Sequence, residues 1–109
     1  MKLVIAIVNR DDSADLIHKL NKNGFMSTRL STTGGFLRAG NTTLLIGVDD
    51  CKLDGAMDII EKVCRSRKQV ASAPTQMSPG MSSFPPYPVE VMVGGATVFQ
   101  LSVEQFKKF

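Results

Sequence analysis

The chain has 109 residues, a formal net charge of +3, 43% hydrophobic and 21% charged residues. That is the size and composition of one soluble globular domain, with about 65% of its unfolded surface to bury and one modest core. The charge is too small and too dispersed for binding a nucleic-acid polymer, which requires a basic stripe. No apolar run approaches the ~20 residues that cross a membrane.

Leu3–Val8 is a continuous apolar, β-rich run. It predicts a strand covered on both faces or placed at a subunit contact. MKLVIAIV has the outline of a signal peptide, but the run breaks at Asn9-Arg10-Asp11-Asp12 with no small-residue cleavage site, so it reads as a strand. Asp12 and Ser13 are the candidate N-caps of a helix that runs to Asn23, with Leu16, Ile17 and Leu20 as its apolar stripe. Asn23-Gly24 supplies a left-handed stop.

Phe25 to Leu30 reads as a second strand, extended through Phe36-Leu37 into a short loop over 31–42. Thr42–Val48 reads as a third, in which Gly47 marks a close approach by backbone or ligand. Asp49-Asp50 caps a second helix, with Leu53, Ala56, Met57, Ile60, Val63 and Cys64 at helical spacing. Arg65, Arg67 and Lys68 complement its C-terminal dipole.

The composition then changes. Residues 66–88 read SRKQVASAPTQMSPGMSSFPPYP and hold all five prolines without a periodic apolar face. A loop that long in a compact domain is functional or disordered. As a functional loop it orders over a ligand or offers a partner the adaptable contacts of Met77, Met81, Phe84 and Tyr87. Val89–Met92 and Thr97–Leu101, joined across Gly94-Gly95, read as a terminal β-ribbon. Phe106 and Phe109 of the closing tail are expected to dock back on the body.

This order, β-α-β-β-α-loop-β, predicts a single α+β domain over 1–109. It is a ferredoxin-like βαββαβ sandwich with two helices on one face of an antiparallel sheet. The opposite face is left apolar and uncovered, which favours oligomers.

Catalytic chemistry has little to work with. His18, the single histidine, lies off the apolar stripe and has no Asp or Cys nearby to form a dyad, so it reads as a solvated helix residue. Cys51 and Cys64 are expected at opposite ends of one helix, ~20 Å apart, too far for a disulfide or a metal pair. They read as small core residues, and reduced thiols suit a cytoplasmic protein. No catalytic residue, metal site or cofactor is expected, and the chain is not expected to be an enzyme. RNA-binding relatives of this fold carry stacking aromatics on their strands, which the sheet is read as lacking.

The segment TTGGFLRAGNTT, residues 32–43, is different. It combines glycines, threonine hydroxyls, Asn41 and the Arg38 guanidinium around Phe36-Leu37, and has no acid, histidine or cysteine. It lacks the Gly-Lys-Ser/Thr of a P-loop and the Gly-x-Gly-x-x-Gly of a dinucleotide fold. An aromatic among amide and hydroxyl donors suits a purine base, and a guanidinium suits a phosphate. From the residues alone a nucleotide site and a plain glycine-rich turn stand level.

TTGGFLRAGNTT, the opening MKLVIAIVNRDDS and the closing YPVEVMVGGATVFQLSVEQF together resemble the cyclic di-AMP receptor proteins of the PII-like signal-transduction superfamily in Gram-positive bacteria. The resemblance implies a homotrimer with one cyclic di-AMP in each inter-subunit cleft, and a long loop that rearranges and relays occupancy to an unidentified downstream protein. It implies Thr28, Gly35, Phe36, Leu37, Asn41 and Gly47 as the ligand-binding residues. Phe36 and Leu37 would cover an adenine, and Asn41 with the Gly35 and Gly47 backbone would hold base edges or phosphate. The chain departs from the family in Gly24-Phe25-Met26 where Asn-Phe-Arg is usual, in Lys108 where Gln is usual, and in Met77-Ser78-Pro79-Gly80 where a Met-Gly-Gly run is usual. Met26 therefore keeps a second expectation open: a PII-like trimer with an altered site for another adenine nucleotide, or for a protein alone.

Overall fold

The computed structural model describes residues 1–30, 40–72 and 88–109. Strand β1 (Lys2–Asn9) runs straight into helix α1 (Arg10–Lys22), followed by the hairpin strands β2 (Ser27–Leu30) and β3 (Asn41–Val48). A 3₁₀ turn (Asp50–Lys52) leads into α2 (Leu53–Cys64), and then come β4 (Arg67–Ser72), β5 (Pro88–Val93) and β6 (Ala96–Ser102). The main sheet has the order β2-β3-β1-β6, with every neighbouring pair antiparallel. This is the ferredoxin-like arrangement expected from the element order.

Alternation within the strands decides which face is covered. Val4, Ala6 and Val8 of β1 and Leu44, Ile46 and Val48 of β3 share one face through the pairs Val4↔Ile46 and Ala6↔Leu44. They form one buried cluster with Leu16 and Leu20 of α1, Ala56, Ile60 and Cys64 of α2, and Phe25. Each large aliphatic buried there contributes about 1.5–3 kcal/mol. The alternate residues Leu3, Ile5 and Ile7, with Leu45, Phe99 and Leu101, lie on the opposite face, where Phe99 and Leu101 are 44% and 45% exposed. No described helix covers this apolar face. Phe99 also puts one aromatic on the sheet, which was expected to have none.

The start of α1 differs from the expectation. Asn9, in extended conformation at the strand–helix junction, is the N-cap, and its side chain accepts the Asp11 N–H at 2.9 Å. With no loop between strand and helix, the cap falls several residues earlier than Asp12 and Ser13. Ser13 instead donates its hydroxyl to the Arg10 carbonyl at 2.7 Å. Asp12 is buried and receives both arms of the Arg67 guanidinium, at 2.9 and 3.4 Å. The far end of α1 is as expected, with Asn23 as C-cap and Gly24 at φ +84°.

Helix α2 buries the predicted stripe, but Asp49 makes no side-chain cap bond at the turn before it. Asp50 pairs with the N-terminal ammonium of Met1 at 3.1 Å, a partner available because β1 begins beside the end of β3. Cys51 lies exposed in the 3₁₀ turn, contrary to its reading as a core residue, whereas Cys64 is buried at the end of α2. Burial, with Asp12 adding to it, pushes the Cys64 thiol up to about 11.

Gly94-Gly95 does not close a hairpin. β5 pairs with β4 in a separate two-stranded ribbon, and β6 adds to the free edge of β1 over seven residue pairs. The long edge of β1 is a better partner for β6 than the short ribbon strand. The two glycines, at φ +79° and +94°, carry the chain between the sheets. A Cβ on Gly94 would stand 2.5 Å from Arg67 Nη1 and 2.9 Å from the Arg65 carbonyl oxygen. The ends of the 66–88 stretch are thus strands rather than loop, and its middle, 73–87, lies outside the described residues. In the tail, Phe109 is fully exposed and does not dock.

Candidate ligand-binding site

One end of the main sheet carries a cleft of about 640 Å³, within the range of small-molecule sites. It forms where the first residues of β1, the last of β3 and the first of β2 come level, through the pairs Leu3↔Gly47 and Thr28↔Leu45. Gly24, Met26, Ser27 and Thr28 enter from the β2 side. Val103 and Phe106 enter from the tail, which is tied down by the Val103 N–H donated to the Met1 carbonyl at 3.2 Å.

The floor is open at Gly47. Its φ is not positive, and a Cβ built there meets nothing within 4 Å. Neither backbone conformation nor packing within the chain requires a glycine, although an interior strand glycine weakens the strand. The missing side chain leaves room for a guest. Ser27 pairs across from the core residue Ile46, so its hydroxyl lies on the helix-covered face, buried there without a hydrogen-bond partner, and not in the cleft.

Of the six expected ligand residues, Thr28 and Gly47 come together in this cleft. Asn41 shares their sheet face, because residues 41, 43, 45 and 47 alternate to one side and Thr28 pairs with Leu45. It stands six residues up β3 from Gly47, however, or ~20 Å. Gly35, Phe36 and Leu37 lie outside the described residues. Met26 lines the cleft with 83% exposure. Phe106 also lines it, and sequence reasoning missed that role, because only the pairing of β6 with β1 brings the tail there.

Elsewhere, a cleft of about 360 Å³ between α2 and β6 is lined by Met57, Ile60 and Val98, with Glu61 and Arg65 at its edge. His18 is exposed on α1, and no three groups able to ligate a metal converge among the described residues. No described helix is long and apolar enough to cross a membrane. The Arg67 guanidinium is held more firmly protonated by its bond to Asp12.

A family model described as the cyclic-di-AMP receptor matches residues 1–109. The chain belongs to the cyclic-di-AMP receptor family. These receptors are non-enzymatic signalling proteins, in keeping with a site built from glycine, hydroxyl and apolar groups. Among solved structures, the receptor chain is similar to the crystal structure of a protein of unknown function from Pediococcus pentosaceus. The two are 41% identical with a TM-score of 0.78, over 99% of this chain and 96% of the other.

Proposed function

We propose that the chain is a cytoplasmic, PII-like signalling receptor from a Gram-positive bacterium, which binds cyclic di-AMP between the protomers of a homotrimer. Occupancy is relayed through the 66–88 segment to a downstream protein. The observation that carries this reading is the ~20 Å between Asn41 and Gly47 on one open sheet face. A compact cyclic dinucleotide cannot touch both ends of one strand, but it can bridge the Gly47 end of one protomer and the Asn41 end of the next. The apolar face that carries Ile5, Ile7, Phe99 and Leu101 supplies a surface for such an assembly, and a closed ring of three buries it in every copy. Thr28, Gly35, Phe36, Leu37, Asn41 and Gly47 form the ligand contacts in this reading.

Calorimetric titration with cyclic di-AMP, run beside light scattering on the same sample, tests it. The reading predicts three protomers per particle and one ligand per protomer. Absence of binding at high micromolar ligand contradicts it.

Met26 favours a second reading, a site altered for another adenine nucleotide or for a protein partner alone. An exposed thioether occupies the cleft where the resemblance leads one to expect a guanidinium. Met26→Arg strengthens cyclic di-AMP binding if the site is merely weakened, and leaves it unchanged if the site serves another partner.

A further inference from the structure

Two distant parts of the chain meet at the first turn of helix α1. On one side the Arg10 N–H donates to the Gly40 carbonyl at 2.6 Å, where the chain enters β3, and Asn9, the N-cap of α1, pairs with Asn41. On the other, in the same turn, the Asp12 carboxylate receives both arms of the guanidinium of Arg67, the first residue of β4. Arg67 also donates to the Arg65 carbonyl at 3.2 Å. Its Nη1 lies only 2.5 Å from where a Cβ on Gly94 would stand, so one fork spans the roots of both ribbon strands.

Beyond this root little fixes the direction of the ribbon. It has two strands of six residues each, with Val70 and Met92 66% and 63% exposed. A two-stranded ribbon has no independent stability in water. Gly94 and Gly95, both at positive φ, give the chain wide backbone freedom where it leaves β5. A guanidinium–carboxylate fork is directional as well as attractive, because two N–H···O bonds orient one planar group against the other. Asp12 is buried at the capped start of a helix, so the part that the fork orients is the ribbon.

We propose that the first turn of α1 is a coupling joint, in which Asp12 and Arg67 are positioning residues that set the ribbon's direction and tie it to the strand end carrying Asn41. A displacement of the Gly40–Asn41 backbone moves Arg10 and Asp12 together and passes to the ribbon, and a swing of the ribbon passes back the same way. The joint uses none of the described residues that line the Gly47 cleft, and it does not depend on which guest the receptor takes.

The test reads both arms of the joint in the full chain without ligand. Pulsed electron paramagnetic resonance measures the distance from a spin label on Cys51, exposed in the body, to one on Val70→Cys, exposed on the ribbon, while Cys64 is buried and stays unlabelled. Labelled chains are diluted into unlabelled ones, so that only distances within one chain are read. Amide exchange of Arg10, followed by NMR, reads the strand end. The otherwise wild-type chain is expected to give one narrow distance. Arg67→Lys, which keeps the cation without the fork, and Asp12→Asn are each expected to broaden the distribution about twofold and to speed Arg10 exchange about fivefold. Lys62→Ala removes the exposed Lys62–Asp58 pair elsewhere and is expected to change neither reading. A distance as narrow as the wild type in both fork variants overturns the joint, even if their melting temperatures fall, since the pair would then serve stability alone. A broadened distance with unchanged Arg10 exchange also overturns it, because the ribbon would then swing without the strand end.

Discussion

Gly47 separates the needs of the fold from those of the ligand. It stands in β3 directly across from Leu3, with a Cβ direction that is empty to 4 Å and a φ that any residue adopts. Replacing it with alanine therefore adds a side chain without a clash and reduces the freedom of the unfolded chain. This is expected to stabilise the protein by about 0.5–1 kcal/mol. The same methyl group projects into the 640 Å³ cleft, where it occupies ligand space. Gly47→Val fills more of that space and suits a strand at least as well. Cyclic di-AMP affinity is expected to fall about tenfold for the alanine variant, or ~1.4 kcal/mol, and further for the valine variant. Urea denaturation and calorimetric titration on the same preparations measure both quantities. A loss of stability above ~1 kcal/mol would refute the claim that the fold does not need this glycine. Wild-type affinity in Gly47→Val would refute the claim that the ligand does.

Gly94→Ala has the opposite character: the residue sits at φ +79° and the new Cβ meets Arg67 Nη1 at 2.5 Å and the Arg65 carbonyl oxygen at 2.9 Å, so urea denaturation is expected to show an unfolding free energy lower by at least ~2 kcal/mol. Arg67→Ala leaves the buried Asp12 carboxylate without its two-armed partner. The variant is expected to be less stable than the wild type in urea, by an amount that solvent screening of the half-exposed Arg67 keeps modest and that shrinks when Asp12→Asn is added. Burial holds the Cys64 thiol neutral up to about 11, so its contribution to stability is complete below its ordinary value of 9.0. As pH rises from there towards 11 the unfolded chain ionises first, and roughly 2–3 kcal/mol is lost, which denaturation curves across that range detect. A thiol reagent at neutral pH labels the exposed Cys51 at once and Cys64 only on unfolding; equal labelling rates would contradict the burial.

The parts of the fold legible in the sequence were those with local causes. The existence of β1 and β3 as apolar, β-rich runs, the Leu16 and Leu20 stripe of α1, the longer stripe of α2 and the stop at Gly24 all follow from local composition, short-range periodicity and backbone preference. Long-range partners decided the rest. Asp12 has every local attribute of a helix cap, yet its partner is Arg67, 55 residues away. Gly94-Gly95 has the local form of a hairpin turn, but β1 offers β6 a longer ladder than β5 could. The same holds for the site. Gly47 was legible as a glycine inside a strand, and Thr28 through the family resemblance. Phe106 was not, because nothing near it in the chain signals that the tail ends beside Gly24 and Met26.

The central claim is that one ligand is shared by two protomers, with Gly47 from one and Asn41 from the next. Co-assembly of two separately defective chains, Gly47→Val and Asn41→Ala, tests it most directly, with binding of cyclic di-AMP by the mixed particles as the readout. In a shared site, a cleft that draws Gly47 from the Asn41→Ala chain and Asn41 from the Gly47→Val chain is intact. Mixed particles are therefore predicted to bind at wild-type affinity with fewer sites. Mixed particles that bind no better than either parent would place both residues in the same protomer's site and contradict the account.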